Sequence, residues 1–319
     1  MELGQVSMVP VSPKSSAAVA SVPAALRRLL SGLIDYAGMF PPAKLSLAEA
    51  AANYVRYARG SQAWMLGKFV VSAAQLDELR GFLAKNSEAR GLTASLSVLL
   101  GPEPLRDAEL IRAEKVRVSG KAQPPFSVDA VEFRPGSPVM VRELSPVLPP
   151  GLQVFCEVPY TEGLTDWLAA IRQAGWSAKI RTGGTMPDSF PSSSEVAGFL
   201  AQCNVHGVAF KATAGLHHPV RSKHPLTYEA DSVCGVMHGF LNVFLGAALL
   251  QCGISKEQLI GILDDTDAAS FRFSGEFAHW RTLFVNENGL AETRRHFAIS
   301  FGSCSFEEPI RDLQELGLL

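Results

Sequence analysis

The sequence lacks an uninterrupted run of about 18 apolar residues, the usual minimum for a helix that crosses a membrane. Its longest apolar stretch, GFLNVFLGAALLQCG at 239–253, is broken by Asn242 and by several glycines. This stretch therefore predicts a buried helix, and no membrane partner is expected.

An excess of charge of one sign is also lacking. The chain has 29 Lys and Arg residues against 31 Asp and Glu residues, which gives a formal net charge of -2. Proteins that bind nucleic acids or anionic membrane surfaces usually carry basic clusters. The balance therefore predicts no nucleic-acid partner and no membrane-surface partner.

The chain has few cysteines, and no two of them show C-x-x-C spacing. The five cysteines stand at positions 156, 203, 234, 252 and 304. An odd number without a disulfide framework predicts reduced thiols in a cytoplasmic protein. Cys304 is predicted to be a structural thiol, because nothing close to it in the sequence identifies a base.

The N-terminal segment 1–23 differs in composition from the rest of the chain. It is rich in Ser, Ala, Val and Pro but lacks the long apolar core of a signal peptide, so we expect a flexible tail. Residues 24–319 have no solenoid-type repeat and no obvious internal boundary. Since 47% of the whole chain is hydrophobic, this part can bury a sizeable core, and we expect one domain.

From about residue 64, short apolar segments alternate with amphipathic helical stretches. Such alternation is typical of parallel strands joined by right-handed crossovers. The predicted strands lie at 65–71, 93–100, 128–133, 152–158, 176–180, 207–211 and 296–301. The pattern predicts an α/β fold, a closed (β/α)8 TIM-like barrel rather than a doubly wound open sheet. Segment 270–275 would supply the eighth strand, and 24–60 would form an N-terminal helical extension.

Charged residues recur where the predicted strands end. In either α/β architecture the functional groups gather at the carboxyl ends of the strands. The candidates on the strands are Glu132, Arg134, Glu157, Lys179, Arg181 and Lys211, and those in the following turns are Gly183, Gly184, His217, His218 and Ser303. We expect these side chains to line one mouth. Rim charges that only pair with one another would produce the same pattern.

Lys211 ends an apolar strand in the sequence VAFKATAGLHHPV, at 208–220. Buried beside the cations Lys179 and Arg181, its amine should have a pKa lowered toward neutrality, as a Schiff-base nucleophile requires. A simpler alternative is that the three cations form a cradle for a carboxylate or phosphate. Backbone N–H groups of Gly183 and Gly184 would join this cradle if their turn opens a helix.

The KATAG segment at 211–215 resembles the lysine-centred turn of the deoxyribose-phosphate aldolases, in which a strand-end lysine precedes Thr-Ser-Thr-Gly. KIRTGG, at 179–184, is similar to a second lysine segment of that family, although the two segments occur here in the reverse order. The chain as a whole also resembles a bacterial (β/α)8-barrel family. The aldolase resemblance implies a barrel in which Lys211 forms the Schiff base and Lys179 lowers its pKa.

The adjacent histidines offer a different chemistry. A candidate ligand set for a divalent metal ion consists of His217, Glu132 and Glu157, and the metal ion would then be the cofactor. Without such a metal site, no cofactor is expected. Neighbouring side chains in an extended segment point opposite ways, so only one histidine of the pair would serve. Either histidine is alternatively a general acid or base, since imidazole titrates near neutral pH.

Two other segments are candidates for the rim and for an interface. The polar pair Asp35 and Tyr36 precedes Pro41-Pro42, and this segment either folds over the barrel mouth or makes ordinary turn contacts. The apolar C-terminal LGLL packs on the barrel or on a second subunit, which leaves a homo-oligomer open.

Three functions remain as hypotheses. The first is a barrel enzyme that acts on a small anionic oxo compound by an aldolase-type lyase step, with Lys211 as nucleophile, Lys179 and Arg181 holding the anion, and Glu132, Glu157 or His217 moving protons. The second is a metal-dependent hydrolase, isomerase or lyase on the same barrel. The third is a non-catalytic barrel that binds an anionic ligand. The presence of both acids and bases favours an enzyme, because binding alone needs only the cations.

Overall fold

The computed structural model describes residues 22–120, 123–160 and 163–319. Most of the segment expected to form a flexible tail, residues 1–21, lies outside the described residues. Within the described ranges, no helix is long and apolar enough to cross a membrane.

Thirteen strands, numbered in chain order, lie in the described part of the chain. They are β1 (Ile34–Tyr36), β2 (Leu66–Ser72), β3 (Ala94–Leu99), β4 (Phe126–Phe133), β5 (Gln153–Glu157), β6 (Ser177–Arg181), β7 (Phe210–Thr213), β8 (Ser222–Pro225), β9 (Cys234–Met237), β10 (Phe271–Ser274), β11 (Phe277–Trp280), β12 (Leu283–Asn286) and β13 (Ala298–Ser303). Eight of them close into a parallel barrel in the order β1-β13-β7-β6-β5-β4-β3-β2. The predicted (β/α)8 barrel is confirmed.

Eleven α-helices accompany these strands in the described ranges. They are α1 (Ala24–Leu30), α2 (Leu47–Arg59), α3 (Leu76–Lys85), α4 (Pro104–Val118), α5 (Pro138–Leu144), α6 (Leu164–Ala174), α7 (Ser193–His206), α8 (Phe240–Gln251), α9 (Lys256–Asp264), α10 (Glu287–His296) and α11 (Glu307–Glu315). The local sequence determines where two of these helices begin. Ser46 and Glu49 form a capping box at the N-terminus of α2, and Ser192 and Glu195 form one at the N-terminus of α7.

The eighth barrel strand is not segment 270–275, and this prediction was wrong. Residues 271–274 form β10, which pairs with β11 through a two-residue turn in which Gly275 has a φ of +55°. A glycine at positive φ is typical of tight hairpin turns, so this segment is antiparallel and local. The missing strand is β1, inside the predicted helical extension, where it lies between β13 and β2.

The N-terminal segment 24–60 therefore contributes both helices and a barrel strand. Helices α1 and α2 flank β1, whose three residues are all buried. At the other end of the chain, α11 follows β13 directly, and Leu318 and Leu319 pack against the main hydrophobic core.

Two small sheets lie in the long connection between β7 and β13. The β8–β9 hairpin comes directly after the β7 turn, and a three-stranded antiparallel sheet is formed by β10, β11 and β12. Between them lies α8, the predicted buried helix, of which all residues from Phe240 to Leu250 are buried.

Side-chain alternation along the barrel strands separates two environments. On β7, Phe210 packs against Phe199 and Phe244 on the surrounding helices, whereas the next residue, Lys211, reaches residues of β1 and β4. Successive residues of a strand face opposite sides. One face of each strand thus packs in the apolar layer below the helices, and the other faces the barrel interior, where charged groups accumulate.

Candidate functional site

A chain of ion pairs crosses the barrel interior near the carboxyl ends of the strands. Three neighbouring strands carry charged residues at the same level of the barrel. In the strand register, Glu157 of β5 lies opposite Lys179 of β6, and Lys179 lies opposite Lys211 of β7. Glu132 of β4 and Asp35 of β1 complete the set. The predicted convergence of charged strand ends is therefore present in the structure.

Lys211 is completely buried between two carboxylates. Its ammonium group contacts Asp35 Oδ2 and lies 2.6 Å from Glu132 Oε1. Burial alone would lower the pKa of Lys211, but the charges and hydrogen bonds of Asp35 and Glu132 outweigh it and raise the pKa above its ordinary value. The expectation of a lowered pKa for Lys211 was wrong, because these carboxylates, rather than Lys179 and Arg181, are its nearest charges.

Asp35 is the buried anchor of this network. Its Oδ1 accepts a hydrogen bond of 2.7 Å from the backbone N–H of Lys68, and its Oδ2 accepts one of 2.8 Å from the Ser300 hydroxyl. The sequence indicated only that Asp35 was a polar residue in apolar surroundings. The contact of Asp35 with Lys211 could be recognised only from the position of β1 in the barrel.

Glu132 bridges the two lysines. It receives hydrogen bonds from Lys211, from Lys179 at 3.0 Å and from the Ser97 hydroxyl at 2.6 Å. Burial would raise the pKa of this carboxyl group, but the charges of Lys211 and Lys179 hold it well below its usual range. Glu132 is therefore a carboxylate at neutral pH.

Lys179 occupies the junction between the buried network and the open side of the barrel. Its Nζ lies 3.0 Å from Glu132 Oε2 and 3.0 Å from Glu157 Oε2. Glu157 also accepts a hydrogen bond of 3.3 Å from Arg181 Nε. Burial opposes ionisation of Glu157, but the Lys179 and Arg181 charges outweigh it and lower the pKa of this carboxyl group.

A cavity of about 550 Å³ opens above this network. The predicted site residues that line it are Glu132, Arg134, Glu157, Lys179, Arg181, Gly183, Gly184 and His217. Pro41 and Pro42 also line it, as expected for a segment that folds over the mouth. Lys211, His218 and Ser303 do not belong to its lining.

The Gly183-Gly184 turn does not open a helix. It leads into a short 3-10 turn at Pro187–Ser189, and α7 begins only at Ser193. Its function in the structure is a close contact between loops, because a Cβ on Gly183 would lie 2.9 Å from the Cα of Gly215. The structure therefore shows no helix N-terminus at this turn for an anion.

His217 belongs to a polar cluster at the start of α11. Its Nδ1 lies 3.2 Å from Glu308 Oε2, 3.4 Å from Ser303 Oγ and 3.9 Å from Cys304 Sγ. Burial by itself would lower the pKa of His217, but the hydrogen bonds and charges of Cys304 and Glu308 raise it to about 10. Sequence analysis missed Glu308, which lies on α11, and it identified no base beside Cys304, next to which the structure places His217.

His218 points toward the same helix as His217. Its Nδ1 lies 2.5 Å from Asp312 Oδ2, one helical turn beyond Glu308 on α11. The expectation that the two histidines point opposite ways was wrong, because residues 214–220 form an irregular turn rather than an extended strand. The His218 ring stacks on His224 of the β8–β9 hairpin, with centroids 3.3 Å apart, beside a second cavity of about 340 Å³.

The proposed metal ligands have other partners. Glu132 and Glu157 are both paired with Lys179, and His217 is paired with Glu308. Among the residues that the structure describes, no group of three or more His, Cys, Asp or Glu side chains is placed to hold a metal ion.

Comparison with protein-family models, with curated proteins and with solved structures finds no match to this chain. What can be said of function therefore rests on the barrel and on the geometry of its cavity. In TIM barrels, enzyme active sites lie at the carboxyl ends of the strands, which is where this cavity and its charged floor lie.

Proposed function

We propose that this barrel is an enzyme that acts on a small anionic oxo compound by an aldolase-type lyase step, with Lys179 as its reactive amine. The observation that carries the proposal is the position of Lys179 Nζ. It lies between Glu132 and Glu157 at the floor of the 550 Å³ cavity.

Accessibility favours Lys179 over Lys211 as the nucleophile. Lys179 lines the cavity, whereas Lys211 does not line it and is completely buried below it. We assign Lys211 a positioning role: its fixed positive charge holds Glu132 as a carboxylate next to Lys179. A raised pKa suits such a structural cation and is unfavourable for a nucleophilic amine.

Two guanidinium groups support an anionic substrate. Arg134 and Arg181 both line the cavity, and the Arg181 side chain is 51% exposed even though its Nε contacts Glu157. Arginine binds carboxylate and phosphate groups through several N–H donors at once. An anionic group held there would place a neighbouring carbonyl carbon within the space above Lys179.

The carboxylates fit the charge changes of a Schiff-base reaction. Glu157 accepts a proton from the Lys179 ammonium, the neutral amine adds to the substrate carbonyl to give a carbinolamine, and Glu157 returns the proton to the departing hydroxyl group, which leaves as water. The resulting iminium keeps one positive charge between Glu132 and Glu157, so both ion pairs survive. Glu157 then takes the proton of the hydroxyl group on the carbon that leaves, this carbon departs as a carbonyl compound, and the iminium accepts the electron pair of the broken carbon–carbon bond to become an enamine. Glu157 returns the proton to the enamine carbon, and hydrolysis of the resulting iminium releases the second product and the Lys179 amine.

Borohydride trapping tests this proposal. The protein is treated with sodium borohydride in the presence of a panel of small aldehydes and oxo acids, and its intact mass is measured. We expect a stable mass increase for at least one anionic oxo compound, retained in Lys85→Met, which changes an exposed lysine at the end of α3, and lost in Lys179→Met. No adduct with any compound, or an undiminished adduct in Lys179→Met, would refute the assignment.

A further inference from the structure

Two parts of the wall of the 550 Å³ cavity differ in polarity. The charged wall lies at the ends of β4, β5 and β6 and consists of the ion pairs of the floor together with Arg134 and Arg181. The apolar wall belongs to β1, β2, β3 and the turns after them, and its side chains include Phe40, Pro42, Val70, Leu99 and Leu100. Among the described residues, this second wall has no charged side chain in the cavity lining.

The strand order places the two walls face to face. The closed barrel has the order β1-β13-β7-β6-β5-β4-β3-β2, so β5 lies opposite β1 in the ring. The centre of the charged wall is therefore across the mouth from the turn that follows β1. The walls meet between β3 and β4, where Leu99 is the register partner of Glu132. A ligand that spans the mouth contacts charged groups at one end and apolar groups at the other.

The turn after β1 is held to the barrel by backbone hydrogen bonds. The N–H of Ala37 donates to the carbonyl of Ser303 on β13 at 2.7 Å, and the N–H of Phe40 donates to the carbonyl of Ala37 at 3.0 Å. This part of the apolar wall is thus formed before a ligand arrives. A preformed site loses less conformational freedom on binding than a site that must be ordered.

The β8–β9 hairpin adds two more apolar side chains to the lining. Leu226 directly follows β8 and Met237 ends β9, and they are 2% and 4% exposed. Both residues and Pro42 also line the adjacent cavity of about 340 Å³. The apolar surface therefore continues beyond the first cavity, which leaves room for a substituent of several carbon atoms.

The opposed walls discriminate between substrates by what their far end carries. Each methylene group that is buried against apolar side chains strengthens binding by about fourfold. A second carboxylate in the same place would lose its water and find no charged partner. The apolar wall therefore favours an uncharged hydrocarbon end and disfavours a dianion of the same length.

We propose that the substrate is a monoanionic oxo acid with an extended apolar substituent, and that the apolar wall binds this substituent. The carboxylate contacts Arg134 or Arg181, the carbonyl carbon lies above Lys179, and the substituent contacts Phe40 and Leu99. The inference rests on the proposed function, because it names the substrate class of the same site. Phe40 and Leu99 determine specificity and take no part in bond making.

Calorimetric titration with carboxylates that lack a keto or aldehyde group tests the inference without Schiff-base chemistry. The probes are butanoate, octanoate and octanedioate. Octanoate and octanedioate have equal numbers of carbon atoms, but the far end is a methyl group in one and a carboxylate in the other. We expect octanoate to bind about tenfold more tightly, or better, than either of the other two. Equal or weaker binding of octanoate in either comparison would overturn the inference.

Three variants locate the specificity on the apolar wall. Phe40 is partly exposed, so the guanidinium in Phe40→Arg has access to water and should shift the octanedioate-to-octanoate affinity ratio by about tenfold toward the dianion. Phe284→Arg, at an exposed residue of β12 outside the cavity lining, should leave this ratio unchanged. Leu99→Ala should weaken octanoate by about fivefold or more and butanoate by less than about twofold. An unchanged ratio in Phe40→Arg at a normal thermal midpoint, or an unchanged octanoate affinity in Leu99→Ala, contradicts the placement of the substituent.

The two proposals for this cavity fail separately. Tight octanoate binding without any borohydride adduct at Lys179 would refute the lyase step and retain the apolar wall as a ligand site. An adduct at Lys179 together with equal binding of octanoate and octanedioate would retain the lyase step and overturn the substrate class.

Discussion

Lys211 and Asp35 form an ion pair across the barrel although they lie 176 positions apart in the chain. The pair joins β7 to β1, and neither side chain has access to solvent. Desolvation of two charges is costly, and the loss of one partner leaves the other buried and uncompensated. Lys211 is therefore best understood as part of the frame that holds the cavity floor.

Replacement of Lys211 should destabilise the protein strongly. In Lys211→Met, Asp35 loses its ammonium partner and Glu132 keeps only Lys179, so we expect a loss of about 3–5 kcal/mol in the free energy of unfolding. Denaturant titration measures this loss, with the exposed Lys85→Met as the matched control. The double variant Asp35→Asn/Lys211→Met should lose less than the sum of the single variants, and a cost below about 1 kcal/mol for Lys211→Met would contradict the frame role.

Arg134 should govern affinity for the anionic group. It is exposed at the end of β4, and it lines the cavity. Loss of a charged hydrogen bond costs about 1.5–3 kcal/mol, so Arg134→Gln should weaken binding of the oxo acid that traps best by about 10- to 100-fold. Calorimetric titration measures this change. Arg142→Gln, an exposed arginine on α5 outside the cavity, should bind normally, and equal affinity in the two variants would remove Arg134 from the site.

His217 should make stability depend on pH in the alkaline range. Its pKa in the folded protein is about 10, above the ordinary value of 6.5. The protonated form is therefore favoured by folding, and its contribution is complete below about pH 6.5 and lost as the pH rises toward 10. The difference in unfolding free energy between wild type and His217→Gln should shrink by a few kcal/mol, at about 1.4 kcal/mol per pKa unit, between pH 6 and pH 10.

Denaturant titration at these two pH values supplies the comparison. The exposed His296→Gln variant controls for the loss of an imidazole outside the cluster. A difference for His217→Gln that stays constant, or that grows with pH, would show that Glu308 and Cys304 do not hold the proton on His217.

The contact between the Gly183 and Gly215 turns should tolerate no side chain. Gly215 has a φ of +70°, and a Cβ there would lie 2.8 Å from the Phe190 ring. Overpacking of this kind costs about 1–3 kcal/mol, so Gly215→Ala should lower the thermal midpoint. Gly81→Ala, in the exposed part of α3 with no atom within 4 Å of the new Cβ, should instead be neutral or stabilising by up to about 1 kcal/mol. The same sign for both variants would contradict this account of the turn.

The barrel could be predicted because seven of its strands have apolar segments long enough to alternate visibly with helices. The strand β1 was not predicted, because it has only three residues, all of them buried, and so shows no alternation of apolar and polar residues. Segment 270–275 was mistaken for a barrel strand because its aromatic residues suit any strand. Its glycine at 275, which turns the chain back into β11, was the signal against a parallel strand.

The site was predictable in its location and in most of its members. Strand ends supplied Glu132, Glu157, Lys179 and Lys211, but their depth in the barrel depends on register and shear, which a single sequence does not reveal. The pKa of Lys211 follows from Asp35, whose position was hidden with β1. Glu308 and Asp312 were missed because they act from α11, a helix that showed only an amphipathic pattern.

We propose that the amine of Lys179, rather than that of Lys211, meets the substrate at the cavity floor. The most direct measurement is peptide mapping of wild-type protein after borohydride trapping with the oxo compound that gives the largest adduct. We predict that the added mass is carried by the peptide containing Lys179 and that the peptide containing Lys211 is unmodified. An adduct on Lys211 would show that the buried network opens during the reaction and would contradict the assignment of the two lysines.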